Sequence, residues 1–169
     1  GGSPAGEPAI MKTKALLIDI TRCIGCGECS RACATANGLP QEEATELSAT
    51  HYTVVKSFND GQTYVRRLCM HCNVPTCVSA CLVGAFEKTE TGAVLYDESK
   101  CIGCRYCEAA CPYFARRFNF TKPSIPKERI NPEMSYLGNR PRRQGVMEKC
   151  HFCIQRTRQG KYPACLEVC

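Results

Sequence analysis

The chain is predicted to fold as an α+β protein of two related halves, with short strands, short helices and long loops. Three observations predict this. Sixteen of the 169 residues are cysteine, and they fall into four groups of four with none left over. The segment around the first group recurs around the third without a gap. Only 44 % of residues are hydrophobic even with the cysteines counted, so the core is thin and bonds through sulfur must staple the fold.

Group one is Cys23-x2-Cys26-x2-Cys29-x3-Cys33 and group two is Cys69-x2-Cys72-x4-Cys77-x3-Cys81. Group three is Cys101-x2-Cys104-x2-Cys107-x3-Cys111, and group four is Cys150-x2-Cys153-x11-Cys165-x3-Cys169. Groups one and three carry the bacterial ferredoxin run, in which three thiols at x2 intervals wrap one [4Fe–4S] cubane and the fourth ligates its neighbour. The reading is therefore α+β with duplicated bacterial ferredoxin-like modules of the 2×[4Fe–4S] type. Gly25, Gly27 and Gly103 beside the ligands let backbone N–H groups approach sulfur. Ile24, Ile102 and Met70 are expected to exclude water from the sites.

The elements follow in order. Residues 1–11 are a flexible lead. A disordered segment, the remnant of a cleaved signal and an artificial extension ahead of Met11 are three readings these residues leave open. Ala15–Ile20 is apolar and β-rich, and reads as a strand feeding group one. A helix is expected around Ser30–Asn37. The stretch 18–33, IDITRCIGCGECSRAC, aligns with 96–111, YDESKCIGCRYCEAAC. RLCMHC at 67–72 answers EKCHFC at 148–153, so each half has one regular and one variant group. Ala85–Lys88 and Ala93–Asp97 flank a Thr89-Glu90-Thr91-Gly92 turn and read as a hairpin. A second helix is expected around Glu108–Tyr113. Residues 114–149 form a basic, proline-punctuated insertion. It reads either as a loop wrapping the chain, its charge offsetting the clusters, or as a docking surface. Cys169 closes group four, and a further C-terminal segment is expected beyond it.

Other uses of cysteine fit less well. Disulfide frameworks have no need of repeated x2-x2-x3 runs, and cysteines that close are awkward to bridge among themselves. Zinc sites take two Cys-x2-Cys pairs across a longer loop, not three cysteines on one run. A zinc-stabilised interaction module is the rival reading from that direction. His71 and His151, inside Cys-x2-Cys loops at matching positions of the two halves, read as spacers facing solvent or a cluster rim. His51 has no assigned role.

The formal charge is +6 with thiols neutral. Four clusters at about −2 each, their thiols deprotonated by the metal, would bring the loaded chain near −2. The basic balance thus reads as compensation for buried anions, and with no stacking platform or groove-reading helix it does not imply nucleic acid. No apolar run approaches the roughly 18 residues of a membrane span. No fingerprint for another cofactor is present, and no catalytic residue is assigned.

In order and spacing, the four groups resemble the four-cluster ferredoxin-like subunits of the dimethyl sulfoxide reductase superfamily. The resemblance covers residues 12–169 and extends to CLVGA at 81–85, CPYFARRF at 111–118 and GVMEKCHFC…PACLEVC at 145–169. Pro112 keeps the proline that often follows the fourth cysteine; Ala34 and Leu82 replace it elsewhere. The resemblance implies a single polyferredoxin domain of two interlocked modules, groups 23–33 with 150–169 and 69–81 with 101–111. It implies four [4Fe–4S] clusters. Cluster 1 is on Cys23, Cys26, Cys29 and Cys169, and cluster 2 on Cys150, Cys153, Cys165 and Cys33. Cluster 3 is on Cys69, Cys72, Cys77 and Cys111, and cluster 4 on Cys101, Cys104, Cys107 and Cys81. It implies an electron-transfer subunit, not catalytic alone, between a molybdopterin-type catalytic subunit and a quinone-linked membrane subunit or a cytochrome. Such a subunit lies peripherally on the cytoplasmic membrane, by preference on its outer, periplasmic face, with the cytoplasmic face the alternative. A free-standing soluble polyferredoxin is the second reading.

Overall fold

The computed structural model describes residues 13–122 and 143–169. The lead and residues 123–142, most of the basic insertion, lie outside the described residues. The described residues carry short antiparallel strands and small helices, as a small ferredoxin-like 4Fe–4S domain requires.

The strands come as three separate two-stranded ribbons. Strands β1 (Thr53–Phe58) and β2 (Thr63–Leu68) pair antiparallel, with Thr53 opposite Leu68 and Phe58 opposite Thr63. Their turn runs through Asn59, Asp60 and Gly61, all at positive φ, where such residues are tolerated. Strands β3 (Phe86–Lys88) and β4 (Val94–Tyr96) form the hairpin expected from the Thr-Glu-Thr-Gly turn, with Phe86 opposite Tyr96. Strands β5 (Arg117–Phe118) and β6 (Met147–Glu148) close the two ends of the insertion, Arg117 opposite Glu148. The Asn119 N–H to Val146 carbonyl bond at 2.9 Å and the Gly145 N–H to Asn119 carbonyl bond at 2.8 Å extend that ladder. The ends of this segment are therefore built into the fold and are not a loop lying over it.

Each ribbon delivers the chain to a cysteine group. β2 ends at Leu68, directly before Cys69, and β6 ends two residues before Cys150. β4 leads to Cys101 through a turn in which the Cys101 N–H bonds the Glu98 carbonyl. Group one has no such ribbon. The Ala15–Ile20 segment, expected as a strand, forms none and ends in a turn at Ile20. Its neighbour Lys14 makes one backbone bond, to the Thr91 carbonyl at 3.0 Å, and Leu17 is 92 % exposed. An apolar, β-rich run without a partner strand makes no ladder.

The described helices are α1 (Glu28–Ala36), α2 (Thr76–Ser79), α3 (Tyr106–Ala109), α4 (Ile154–Thr157) and α5 (Ala164–Glu167). α1 begins two residues earlier than the sequence suggests, and the helix expected over 108–113 is a single turn placed earlier. α1 packs on α5, and α2 packs on α3. Helices of groups one and four, and of groups two and three, thus touch.

The core is small and sulfur-rich. One cluster gathers Leu47, Val54, Cys69, Cys111 and Ala115, a second Cys77, Phe86, Val94, Cys107 and Met147, and a third Cys33, Ala34, Leu39 and Tyr52. Cys150 packs against both the first and the third.

Candidate functional site

One local pattern recurs in all four groups. The third cysteine is the second residue of a helix: Cys29 in α1, Cys77 in α2, Cys107 in α3 and Cys165 in α5. The fourth follows four residues on: Cys33 stands one turn up α1, about 6 Å along the same face, and Cys81, Cys111 and Cys169 stand two residues past the ends of α2, α3 and α5. The two thiols therefore reach different surroundings although they stand in one run.

The loop before that turn is also shared. The residue ahead of the second cysteine is left-handed in each group: Gly25 at φ 76°, His71 at 45°, Gly103 at 71° and Phe152 at 61°. This shows that His71 and His151, though in corresponding loops, are one position out of register, and that Phe152 is the counterpart of His71. Glycine is required where a neighbour comes close. A Cβ on Gly103 would stand 2.4 Å from the Gly145 carbonyl oxygen, a backbone atom that cannot swing away. Gly103→Ala is expected to cost roughly 1–2 kcal/mol from the left-handed backbone alone, and more through this clash. Gly84→Ala is the control, because Gly84 has φ +59° but nothing within 4 Å of its Cβ position. Thermal unfolding of the two loaded variants should show the larger loss in Gly103→Ala. Equal losses would remove the argument from close approach.

All sixteen cysteines are free thiols, so disulfides do not staple the chain. Among the described residues no three of His, Cys, Asp or Glu are placed to hold a metal ion.

The electrostatic surroundings of the thiols say which of them are neighbours. Burial raises the Cys33 thiol well above its ordinary pKa, and the charges of Cys150, Cys153 and Cys165 raise it further. Burial raises Cys29, Arg66 opposes this, and Cys165 and Cys169 add to it. Burial raises Cys72, with Cys69, Cys77 and Cys111 adding. Cys107 is pushed up to about 12 by burial, against Arg116 and with Cys101, Cys81 and Cys77. Cys150 is pushed up to about 12 by burial and by Cys69, with Lys149 opposing. The fourth cysteine of every group thus lies beside thiols of a different group. The free thiol is strongly favoured at these buried positions. Iron must displace those protons to bind, and in doing so it relieves the mutual repulsion of the thiolates.

The cysteines expected to hold clusters 2 and 3 are drier than those expected to hold clusters 1 and 4. Among the ligands expected for clusters 2 and 3, Cys33, Cys69, Cys77, Cys111, Cys153 and Cys165 are buried. Cys26, Cys104 and Cys169 are exposed. Ile24, Ile102 and Met70, expected to shield the sites, are instead 79 %, 65 % and 57 % exposed. In groups one and three the isoleucine after the first cysteine lies outward, ahead of a left-handed glycine, while Cys23 and Cys101 are half-buried. Backbone N–H groups reach sulfur at Ala85, 3.2 Å from Cys81 Sγ, and at Phe152, 3.4 Å from Cys150 Sγ.

The histidines are structural, and neither His71 nor His151 faces solvent freely. His71 Nδ1 accepts the Val94 N–H at 2.9 Å, and the ring meets Phe152 edge-on at 5.1 Å. Burial, followed by the Lys149 charge, lowers its pKa to about 2, so it stays neutral. His151 is buried and packs edge-on to Tyr52 at 6.1 Å. His51 fixes a turn, with Ser48 Oγ 2.9 Å from its Nδ1.

Sequence reading missed the buried cations. Arg66, Arg116 and Lys149 are 8 %, 1 % and 1 % exposed. Arg116 Nη2 donates to Cys77 Sγ at 2.6 Å, and its guanidinium lies 4.2 Å from the Phe86 ring centroid. Lys149 Nζ donates to the carbonyls of Val94 and Cys150. Arg66 Nε donates to Thr53 Oγ1 at 3.0 Å. Burial pulls the Arg66 pKa down, but the thiolates of Cys165, Cys29 and Cys150 more than restore it. Free thiols, dry surroundings and unscreened positive charge together suit anionic iron–sulfur clusters.

Comparison with known proteins agrees. The 4Fe-4S dicluster domain family matches residues 61–131. The chain is 41 % identical to the iron–sulfur cluster-binding subunit of menaquinone reductase from Nitratidesulfovibrio vulgaris, over 90 % of this chain and 63 % of that protein. It is 35 % identical to the first iron–sulfur subunit of an Hdr-like menaquinol oxidoreductase from Archaeoglobus fulgidus, over 92 % of this chain and 65 % of that one. It is 34 % identical to the arsenate respiratory reductase iron–sulfur subunit of Shewanella sp., over 91 % of this chain and 76 % of that one. Several of these relatives are longer, and the chain spans 43 to 65 % of the first four it matches.

Proposed function

The chain belongs to the family of iron–sulfur subunits of multi-subunit reductases, electron-transfer components rather than catalytic ones, and from that premise we propose that it relays electrons through four [4Fe–4S] clusters between two partners. One partner is a catalytic subunit of molybdopterin type. The other is a quinone-linked membrane subunit or a haem protein. When bound, each cluster takes up and releases one electron.

The observation that carries this reading is the exchange of fourth cysteines. Cys169 beside Cys29, Cys33 among Cys150, Cys153 and Cys165, Cys111 beside Cys72, and Cys81 beside Cys107 support the four ligand sets given above. Further neighbours suggest an order. Cys29 feels Cys165, Cys150 feels Cys69, and Cys107 feels Cys77, which supports a single file from cluster 1 to cluster 4. The exposed thiols belong to the two ends, where partners would dock, and the buried ones to the middle, where water must be kept out. The packing of α1 on α5 and of α2 on α3 supports one domain over 12–169 made of two interlocked ferredoxin-like modules.

No described helix is long and apolar enough to cross a membrane. We place the subunit peripherally on the cytoplasmic membrane, held there by its partner, with the outer face favoured. Iron and acid-labile sulfide analysis of the anaerobically purified chain tests the cluster count. About sixteen of each per chain is expected, four per cubane. About eight would reduce the wire to two clusters, and zinc without sulfide would end the reading.

A further inference from the structure

Three lysine or arginine side chains are buried among the described residues: Arg66, Arg116 and Lys149. Long cations are seldom buried unless paired. None of the three forms an ion pair with a carboxylate among the described residues. Glu148, the buried carboxylate beside Lys149 in sequence, accepts the Tyr52 hydroxyl at 2.5 Å. The cations face cysteines instead, and each faces cysteines of two different ligand sets. Arg66 faces Cys29 of cluster 1 and Cys165 and Cys150 of cluster 2. Lys149 faces Cys150 of cluster 2 and Cys69 and Cys77 of cluster 3. Arg116 donates to Cys77 of cluster 3 and faces Cys107 of cluster 4. Two buried nitrogens, Arg66 Nη2 and Arg116 Nη1, have no hydrogen-bond partner among the described residues.

We propose that these three side chains occupy the three gaps of the four-cluster line: Arg66 between clusters 1 and 2, Lys149 between 2 and 3, and Arg116 between 3 and 4. The assignment rests on the ligand sets proposed above and goes beyond them. Adding an electron to one cluster adds a negative charge, which in a dry interior opposes adding one to the next. A fixed cation in the gap offsets that charge on both sides, so it raises the potentials of two neighbours together and keeps their difference small. The unpartnered guanidinium N–H groups are then donors to cluster sulfur, which removes the cost of burying them unmade. The three cations come from separate stretches of sequence, β2, the residue before β5 and the residue after β6. One element's packing therefore does not explain all three.

The test is an EPR-monitored redox titration of the fully loaded chain carrying Lys149→Met, with Lys149→Arg beside it. Cys26→Ser and Cys104→Ser identify the signals of the two end clusters. Lys149→Met should lower the potentials of clusters 2 and 3 and leave 1 and 4 in place, and Lys149→Arg should restore them. Unmoved potentials, a uniform shift of all four, or failure of arginine to restore would overturn the gap assignment while leaving the wire intact. If Lys149→Met does not load, Arg66→Gln serves in its place. It should shift clusters 1 and 2 and spare cluster 4, and any other pattern overturns the proposal. Fewer than four clusters in the unmutated chain would overturn the wire and the gap assignment with it.

Discussion

Replacing Cys33 with alanine is expected to damage the cluster of Cys150, Cys153 and Cys165 and to spare the one on Cys23, Cys26 and Cys29. Cys33 stands in the same run as those three, yet its thiol is buried and the thiols that act on it, Cys150, Cys153 and Cys165, are in group four. The helical turn from Cys29 to Cys33 carries it away from its own run toward α5 and the 150–153 loop. Alanine leaves one iron corner without a ligand, and serine is a poorer control because its oxygen can still bind iron. Chemical analysis should show iron falling by about one to four atoms per chain, as a three-iron cluster or a lost one. EPR should show the signal identified by Cys26→Ser unchanged. Loss of that signal, with the group-four cluster retained, would falsify the exchange of fourth cysteines.

Stripping iron from the chain is expected to unfold it. Among the described residues eight of the 24 buried hydrophobic ones are cysteines, so a third of that core has its purpose in the clusters. The remaining elements are too small to stand alone. Four of the five described helices are single turns, and the three ribbons have two strands each. Such pieces are marginal without tertiary support. Three buried cations would also lose the anions that balance them, and an uncompensated buried charge costs about 3–5 kcal/mol. Structural metal at a four-thiolate site contributes on the order of 10 kcal/mol, comparable with the whole stability of a domain. The seven tyrosines supply a near-UV circular dichroism signal in a chain without tryptophan. That signal should vanish on chelation under reducing conditions, and trypsin should cut within the former core. An apo-chain that keeps its near-UV signal would mean the polypeptide alone specifies the fold.

What could be read in the sequence was local. The cysteine runs, the α1 turn and the β3–β4 hairpin are each specified within about a dozen residues, by ligand spacing, helical period or a turn signal. Segment 15–20 misled because an apolar, β-rich run becomes a strand only where another strand is there to pair. The β1–β2 ribbon was passed over although Asn59-Asp60-Gly61 between two β-rich runs signals it. The outward-facing Ile24 and Ile102 could not be foreseen from composition, because the direction of a side chain depends on the left-handed residue that follows. Least legible were Arg66, Arg116 and Lys149. On a sequence they look like any solvated charge, and only the convergence of distant thiols around them shows why they are buried.

An anomalous difference map at the iron edge, from crystals of the loaded chain, reads the arrangement directly. Four peaks in single file are predicted, with Cys26 and Cys169 at one end, Cys104 at the other, and each peak held by three cysteines of one group and one of another. Fewer than four peaks, a closed cluster of peaks instead of a file, or any peak held by all four cysteines of its own group would contradict it.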